Sequence, residues 1–273
     1  MRVTDTDLTP LGRFERAALR VGSFVNERPR VKSITQHFNR AVTSRWMTLV
    51  SERRIHLEGL EHVTRLAPER GVVLAANHRS FFDMYMILTY LTKHVSWCKR
   101  ALFPVKSGFW YDHPLGMLTN ALASAMSMYP PVFRETEKRA ITRRGLDFLA
   151  EELQKPGTVV GIHPEGTRNK GSDPYALLPP EQGFGRLVLT ARPLVLPIFV
   201  NGMTNDFVAE CRSTFDGSGV PIIIAFGSPI DFGTLLDADR ERLRSQIAVS
   251  RRALDVIAEL GRAERALRAR LTA

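Results

Sequence analysis

Cysteine is scarce in this 273-residue chain: only Cys98 and Cys211 occur, and neither belongs to a Cys-x-x-Cys pair. That excludes a disulfide framework and points to a reducing compartment or a disulfide-indifferent protein. Acidic residues are also short, with 28 Asp and Glu against 38 Lys and Arg, for a net charge of +10. A surface of that sign favours phosphate-bearing partners: nucleic acid, anionic lipid or a phosphorylated small molecule. Long apolar runs are missing. The longest uncharged stretch, residues 114–133, is interrupted by Thr119, Asn120, Ser124, Ser127, Tyr129 and the Pro130-Pro131 pair. It is too polar and broken for a lipid-exposed span, and is expected as a buried helix followed by a strand. The first residues, Met-Arg-Val-Thr-Asp-Thr-Asp, carry no apolar core behind a basic start, so no secretory signal is expected. Internal repeats and low-complexity segments are also lacking. What remains, 44% hydrophobic and 24% charged residues, is the composition of an ordinary globular protein. One large domain with an appendage fits this length.

The basic excess is uneven. Residues 1–58 hold 11 Lys and Arg (Arg2, Arg13, Arg16, Arg20, Arg28, Arg30, Lys32, Arg40, Arg45, Arg53, Arg54) against 6 acids, so this segment carries +5. Leu11, Phe14, Ala18 and Val21, then Val31, Ile34, Phe38 and Val42, recur there at helical spacing, with a break at Pro29. Such basic amphipathic helices either lie in an anionic membrane interface or pack on the domain that follows.

From Ile55 onward, short apolar runs alternate with helical ones. Strands are expected at 71–76, 95–98, 132–133, 158–162, 194–200 and 220–226. Helices are expected at 82–91, 115–128, 140–155, 183–191 and 235–271. This alternation predicts an α/β fold with a central mixed, largely parallel sheet flanked by helices. The organisation expected is an N-terminal helical segment 1–58, an α/β domain 59–234 and a C-terminal helical segment 235–273 packing on it.

In open α/β sheets, reactive residues gather beyond the C-terminal ends of strands. The first such place reads Asn77-His78-Arg79-Ser80-Phe81-Phe82-Asp83. A histidine with a carboxylate five residues on can form an imidazole–carboxylate pair, the carboxylate fixing the tautomer and leaving the other ring nitrogen as a general base. The bland alternative is an N-capping Asp83 beside an incidental His78. The second place, His163-Pro164-Glu165-Gly166-Thr167-Arg168-Asn169-Lys170-Gly171, combines glycines with cations as an anion-binding loop does. It is not a Walker loop, since Ser172 stands where the lysine belongs.

Together the two motifs resemble the glycerolipid acyltransferase family, typified by 1-acyl-glycerol-3-phosphate acyltransferases. Asn77, His78 and Asp83 match its Asn-His-x4-Asp block, and Pro164, Glu165, Gly166, Thr167 and Arg168 match its Pro-Glu-Gly-Thr-Arg block. Val132-Phe133-Arg134 corresponds to the second block and Val195-Leu196-Pro197-Ile198 to the fourth, so all four lie in order between residues 77 and 198. The resemblance implies the glycerol-3-phosphate acyltransferase-like fold and an O-acyltransferase with catalytic His78 and Asp83. His78 would deprotonate the acceptor hydroxyl, with Asp83 orienting it. Arg134 and the loop of Glu165, Gly166, Thr167 and Arg168 would hold the acceptor phosphate. It further implies no cofactor beyond acyl-CoA or acyl carrier protein as co-substrate, and lysophosphatidic acid as the first acceptor to consider. Glycerol-3-phosphate, another lysophospholipid or a glycolipid are the alternatives. The implied setting is the cytoplasmic face of a membrane, reached peripherally or monotopically through residues 1–58. Three departures stand where the acceptor should bind: His163 replaces the usual aromatic, Asn169 the usual serine, and Pro130-Pro131 a glycine-rich approach. His163 is expected to be a satisfied strand-end histidine.

Other readings fare less well. A metal site at His78, Asp83, His163 and Glu165 lacks His-Glu-x-x-His spacing and would face Arg79, Arg134 and Arg168. No nucleic-acid recognition motif occurs, so nucleic acid is not an expected partner. No Gly-x-Ser-x-Gly elbow occurs, consistent with transfer without an acyl-enzyme. A non-catalytic lipid- or acyl-thioester-binding relative is the alternative from another class.

Overall fold

A computed structural model describes residues 1 and 3–271; Arg2, one of the N-terminal cations counted above, lies outside the described residues. The chain opens with α1 (Asp5–Leu8), α2 (Arg13–Glu27) and α3 (Pro29–Phe38), which a π-helical turn, Asn39–Thr43, continues into α4 (Ser44–Leu49). Then follow β1 (Ile55–Glu58), α5 (Glu61–Thr64), β2 (Val72–Ala76), α6 (Asp83–His94), β3 (Arg100–Leu102) and β4 (Val105–Lys106). The middle holds α7 (Ser107–Trp110), α8 (Pro114–Ser124), β5 (Pro131–Val132), α9 (Arg139–Glu152) and β6 (Thr158–Ile162). The last third comprises α10 (Gln182–Ala191), β7 (Leu194–Asn201), α11 (Phe207–Asp216), β8 (Ile222–Phe226) and α12 (Leu243–Leu271).

Six strands form one sheet in the order β1-β8-β7-β2-β6-β3, and every pairing is parallel except β7 with β8. This is the mixed, largely parallel sheet that the alternating pattern predicts. β2 and β8 are apolar at every position and wholly buried, so they leave no face for water and the sheet is covered on both sides. Val72, Leu74 and Ala76 pack towards α6 and Met47 of α4, while Val73 and Ala75 pack towards α9, α10 and α12. The period-two alternation of a strand divides one short run between two cores. Because β1 pairs with β8, the sheet reaches back into the first 58 residues. Leu11, Ala18 and Leu19 join the core on the α9 side.

Three elements differ from expectation. Residues 95–98 are irregular, and the strand begins at Arg100, where the Lys99 and Arg100 amides both donate to the Gly157 carbonyl (2.9 and 3.0 Å). The C-terminal helix starts at Leu243, after a 3-10 turn at Gly233–Asp237. The stretch expected as a buried helix is a helix only to Ser124, because Ala125 and Met126 adopt left-handed φ values of 48° and 63°. Nor is it buried: its inward residues are Gly116, Asn120 and Ser124, and Leu115, Leu118 and Leu122 face outward. Among the described residues no helix is long and apolar enough to cross a membrane.

Candidate active site

β2 ends in Asn77, whose side chain clamps β7: its Nδ2 donates to the Val200 carbonyl (2.9 Å), and the Val200 amide donates to its Oδ1 (2.7 Å). The next residue, His78, is thereby carried to the C-terminal edge of the sheet, and Asp83 is the first residue of α6. His78 Nδ1–H donates to Asp83 Oδ2 at 3.1 Å. The same oxygen accepts from the amides of Arg79 (2.7 Å) and Ser80 (2.8 Å). Asp83 thus closes the strand-to-helix turn and fixes the imidazole tautomer together. It does not cap α6, whose N-cap is Phe82 with no side-chain bond, so the pairing reading holds and the N-capping one does not. The bond leaves the lone pair on His78 Nε2.

The pair rests with its imidazole neutral and its carboxyl ionised. Burial, reinforced by the Arg168 guanidinium, lowers the His78 pKa to about 3, so the ring is neutral near pH 7. Burial raises Asp83 to about 6, against the lowering effects of His163, the two amides and Arg168, which leaves a carboxylate at neutral pH.

The loop after β6 is built around that histidine. Glu165 is buried and its oxygens each take one amide: Oε1 accepts from His78 N (2.9 Å) and Oε2 from Leu178 N (2.7 Å). On the other side the Asn169 amide donates to the His78 carbonyl (2.9 Å). Gly166 has φ +63°, and a Cβ there would lie 2.5 Å from Glu181 Cγ, so the turn requires glycine. His163 is satisfied at the strand end, as expected: its Nδ1–H donates to the carbonyls of Ala76 and Asn77, at 3.0 Å each. It also stacks on the His78 ring, a contact that no sequence spacing announces.

The cations surround the open side. Arg168 lies 3.5 Å over the Phe81 ring, and its Nη1 donates to Asn205 Oδ1. Asn205 Oδ1 also accepts from Phe81 N (3.1 Å), and Ser80 Oγ donates to the Thr204 carbonyl (2.8 Å). Arg134, from beyond β5, reaches the same loop through a 3.3 Å bond from Nη2 to the Gly166 carbonyl. Thr167 is exposed between them. The fold therefore gathers His78, Asp83, Arg134, Glu165, Gly166, Thr167 and Arg168, which span 91 positions of sequence, and adds Phe81, His163 and Asn205. Asn205 follows β7 at no recognisable spacing, and its only sequence signal is that it lies just past a strand end. Among the described residues no cluster of three or more His, Cys, Asp or Glu side chains suits a metal ion.

A neutral, carboxylate-oriented imidazole beside arginines at a strand edge is chemically suited to activating a hydroxyl on a phosphate-bearing molecule. Comparison with curated proteins gives no match. A family model described as Acyltransferase matches residues 54–201, which takes in both strand-end motifs and Arg134. With more than half of the chain matched, the protein belongs to the glycerolipid acyltransferase family.

Proposed function

We propose that the protein transfers a fatty acyl chain from an acyl thioester, acyl-CoA or acyl carrier protein, to the free hydroxyl of 1-acyl-glycerol-3-phosphate, giving phosphatidic acid. The observation that carries this reading is the neutral His78 held by Asp83 beside Arg168. His78 Nε2 takes the hydroxyl proton as the oxygen attacks the thioester carbonyl. The tetrahedral intermediate collapses with loss of the thiolate, which recovers the proton from the imidazolium. Asp83 stabilises that transient cation. Arg168 and Arg134 face the acceptor phosphate, with Gly166 and Thr167 exposed between them. Glu165, whose oxygens are both occupied by amides, braces the loop rather than meeting an anion.

The acceptor and product are lipids, so the protein works at a membrane surface, on its cytoplasmic face and through residues 1–58. General-base assistance is typically worth about 10²–10⁴-fold. His78→Ala should lower thiol release from acyl-CoA with lysophosphatidate by that order without changing the circular dichroism spectrum. Absence of thiol release from the wild-type protein with any lysophospholipid, or with glycerol-3-phosphate, would instead identify a binding protein.

A further inference from the structure

Two neighbouring helical elements have their polarity reversed. In α3 the residues turned into the protein are Lys32 and Gln36, while Ile34 is 69% exposed and Phe38 is 44% exposed. The buried residues are held by polar bonds: Lys32 Nζ donates to Asn26 Oδ1 (2.8 Å) and Ser127 Oγ (3.0 Å), and Gln36 Oε1 accepts from Ala101 N (2.9 Å). The outward apolar row continues through Val42 of the π-helical turn to Leu49 of α4, which is 62% exposed. In α8 the inward residues are Gly116, Asn120 and Ser124, while Leu115, Leu118 and Leu122 are each more than half exposed. The elements lie side by side, since Thr43 Oγ donates to the Leu122 carbonyl at 3.3 Å. A globular surface ordinarily has the opposite arrangement, and a contiguous apolar face of this kind marks an interaction site.

We propose that the outward face of α3, the π-helical turn, α4 and α8 docks on an anionic lipid bilayer, with the leucines of α8 entering the interface. This rests on the reading that the acceptor is a membrane lipid, and it adds α8 to a contact otherwise placed within residues 1–58. Charge selects a bilayer over other occupants. Residues 28–51 contain no acid and carry the exposed Arg28, Arg30, Arg40 and Arg45, and residues 113–133 contain neither Asp nor Glu. Such a face is complementary to anionic headgroups around an apolar interior. It is also continuous with the active site. Phe81, under Arg168, packs edge-on to Trp110 (6.3 Å), Trp110 packs on Phe109 (5.2 Å), and Phe109 stacks on His113 (6.1 Å), the N-cap of α8. Contiguous aromatic contacts thus join the arginine to the helix, which sets the active site beside the proposed docking face.

The test is cosedimentation of the full chain with vesicles of phosphatidylcholine plus phosphatidylglycerol, and of phosphatidylcholine alone. The wild-type protein should prefer the anionic vesicles. Leu118→Glu/Leu122→Glu should weaken binding by at least about tenfold, since each leucine removed from the interface loses a large part of its transfer free energy. Ile34→Glu/Phe38→Glu should act likewise. Val208→Glu/Phe215→Glu, at two exposed apolar positions of α11, should leave binding unchanged. All these positions are exposed, so a matching melting temperature should accompany each variant. Undiminished binding of the α8 variant overturns the proposal. So does failure of the wild-type protein to bind vesicles, or a dimer in sedimentation velocity that the same substitutions abolish. Acyl transfer to a detergent-dispersed acceptor is measured separately, so loss of the docking surface and loss of the enzymatic reading give different results.

Discussion

The rings of His78 and His163 stack face to face, their centroids 3.9 Å apart and their planes within 5° of parallel. The family's usual aromatic at the second position would offer the same flat support, but here the support is itself titratable. Its Nδ1–H is committed to two backbone carbonyls. Burial, and then the neighbouring His78, hold the His163 pKa at about 3. Two imidazoles in one desolvated stack resist both being cations, which keeps His78 Nε2 unprotonated.

His163→Phe should therefore preserve the stack and retain turnover within about tenfold, whereas His163→Ala removes the support and should lower kcat more. Either change leaves the Ala76 and Asn77 carbonyls without the ring donor, for a destabilisation of about 1–3 kcal/mol by denaturant titration. The phenylalanine variant should also be less acid-sensitive. A histidine with a depressed folded pKa takes up its proton more readily when unfolded, so wild-type stability falls as pH drops from about 6.5 towards 3. Each such group contributes up to about 1.4 kcal/mol per pH unit. Equal pH slopes for wild type and His163→Phe would show that the ring does not titrate this way.

Activity should have an acidic limb that belongs to Asp83. With its carboxyl near pH 6 and His78 neutral to about pH 3, lowering the pH through about 6 protonates the acceptor of the His78 bond first. kcat/KM should rise with pH through that value. In Asp83→Asn the limb should vanish while the rate drops by about 10²–10⁴-fold. Persistence of the limb in that variant would assign it to the imidazole.

Glu165→Gln tests whether this residue braces the loop. A glutamine offers one acceptor oxygen where two amides, from His78 and Leu178, now donate. The expected cost is about 1–3 kcal/mol of stability, seen as a lower melting temperature. kcat should fall with the displaced His78 backbone, while the acceptor KM changes little. A large KM effect with an unchanged melting temperature would place Glu165 at the ligand instead.

Arg168→Ala and Arg134→Ala should each raise the acceptor KM by about 10–100-fold, the value of one charge-assisted contact, and affect the thioester KM less. Asn205→Ala should reproduce a weaker form of the Arg168 effect, because it frees the guanidinium without removing it. Unchanged acceptor kinetics in Arg168→Ala would remove the phosphate role.

Much of this was legible along the chain. The apolar runs at Val72–Ala76, Thr158–Ile162 and Leu194–Asn201 announce buried strands, because fully apolar strands require cover on both faces. The pairing of His78 with Asp83 is equally local: five residues across one strand-to-helix turn suffice to bring the groups together, so spacing alone encodes it. The sequence also determines which residue types are available at each strand end, and with them the family. Tertiary structure alone decided the rest. The His78–His163 stack and the Asn205–Arg168 bond join loops after different strands, and their proximity follows from strand order, with β6 and β7 flanking β2. Periodicity likewise identifies the apolar row of α3 but not its direction. A helix stripe is symmetric between core and solvent until its partners exist, and here the polar partners of Lys32 and Gln36, Ser127 and Ala101, turn α3 outward from some 65 to 95 residues away.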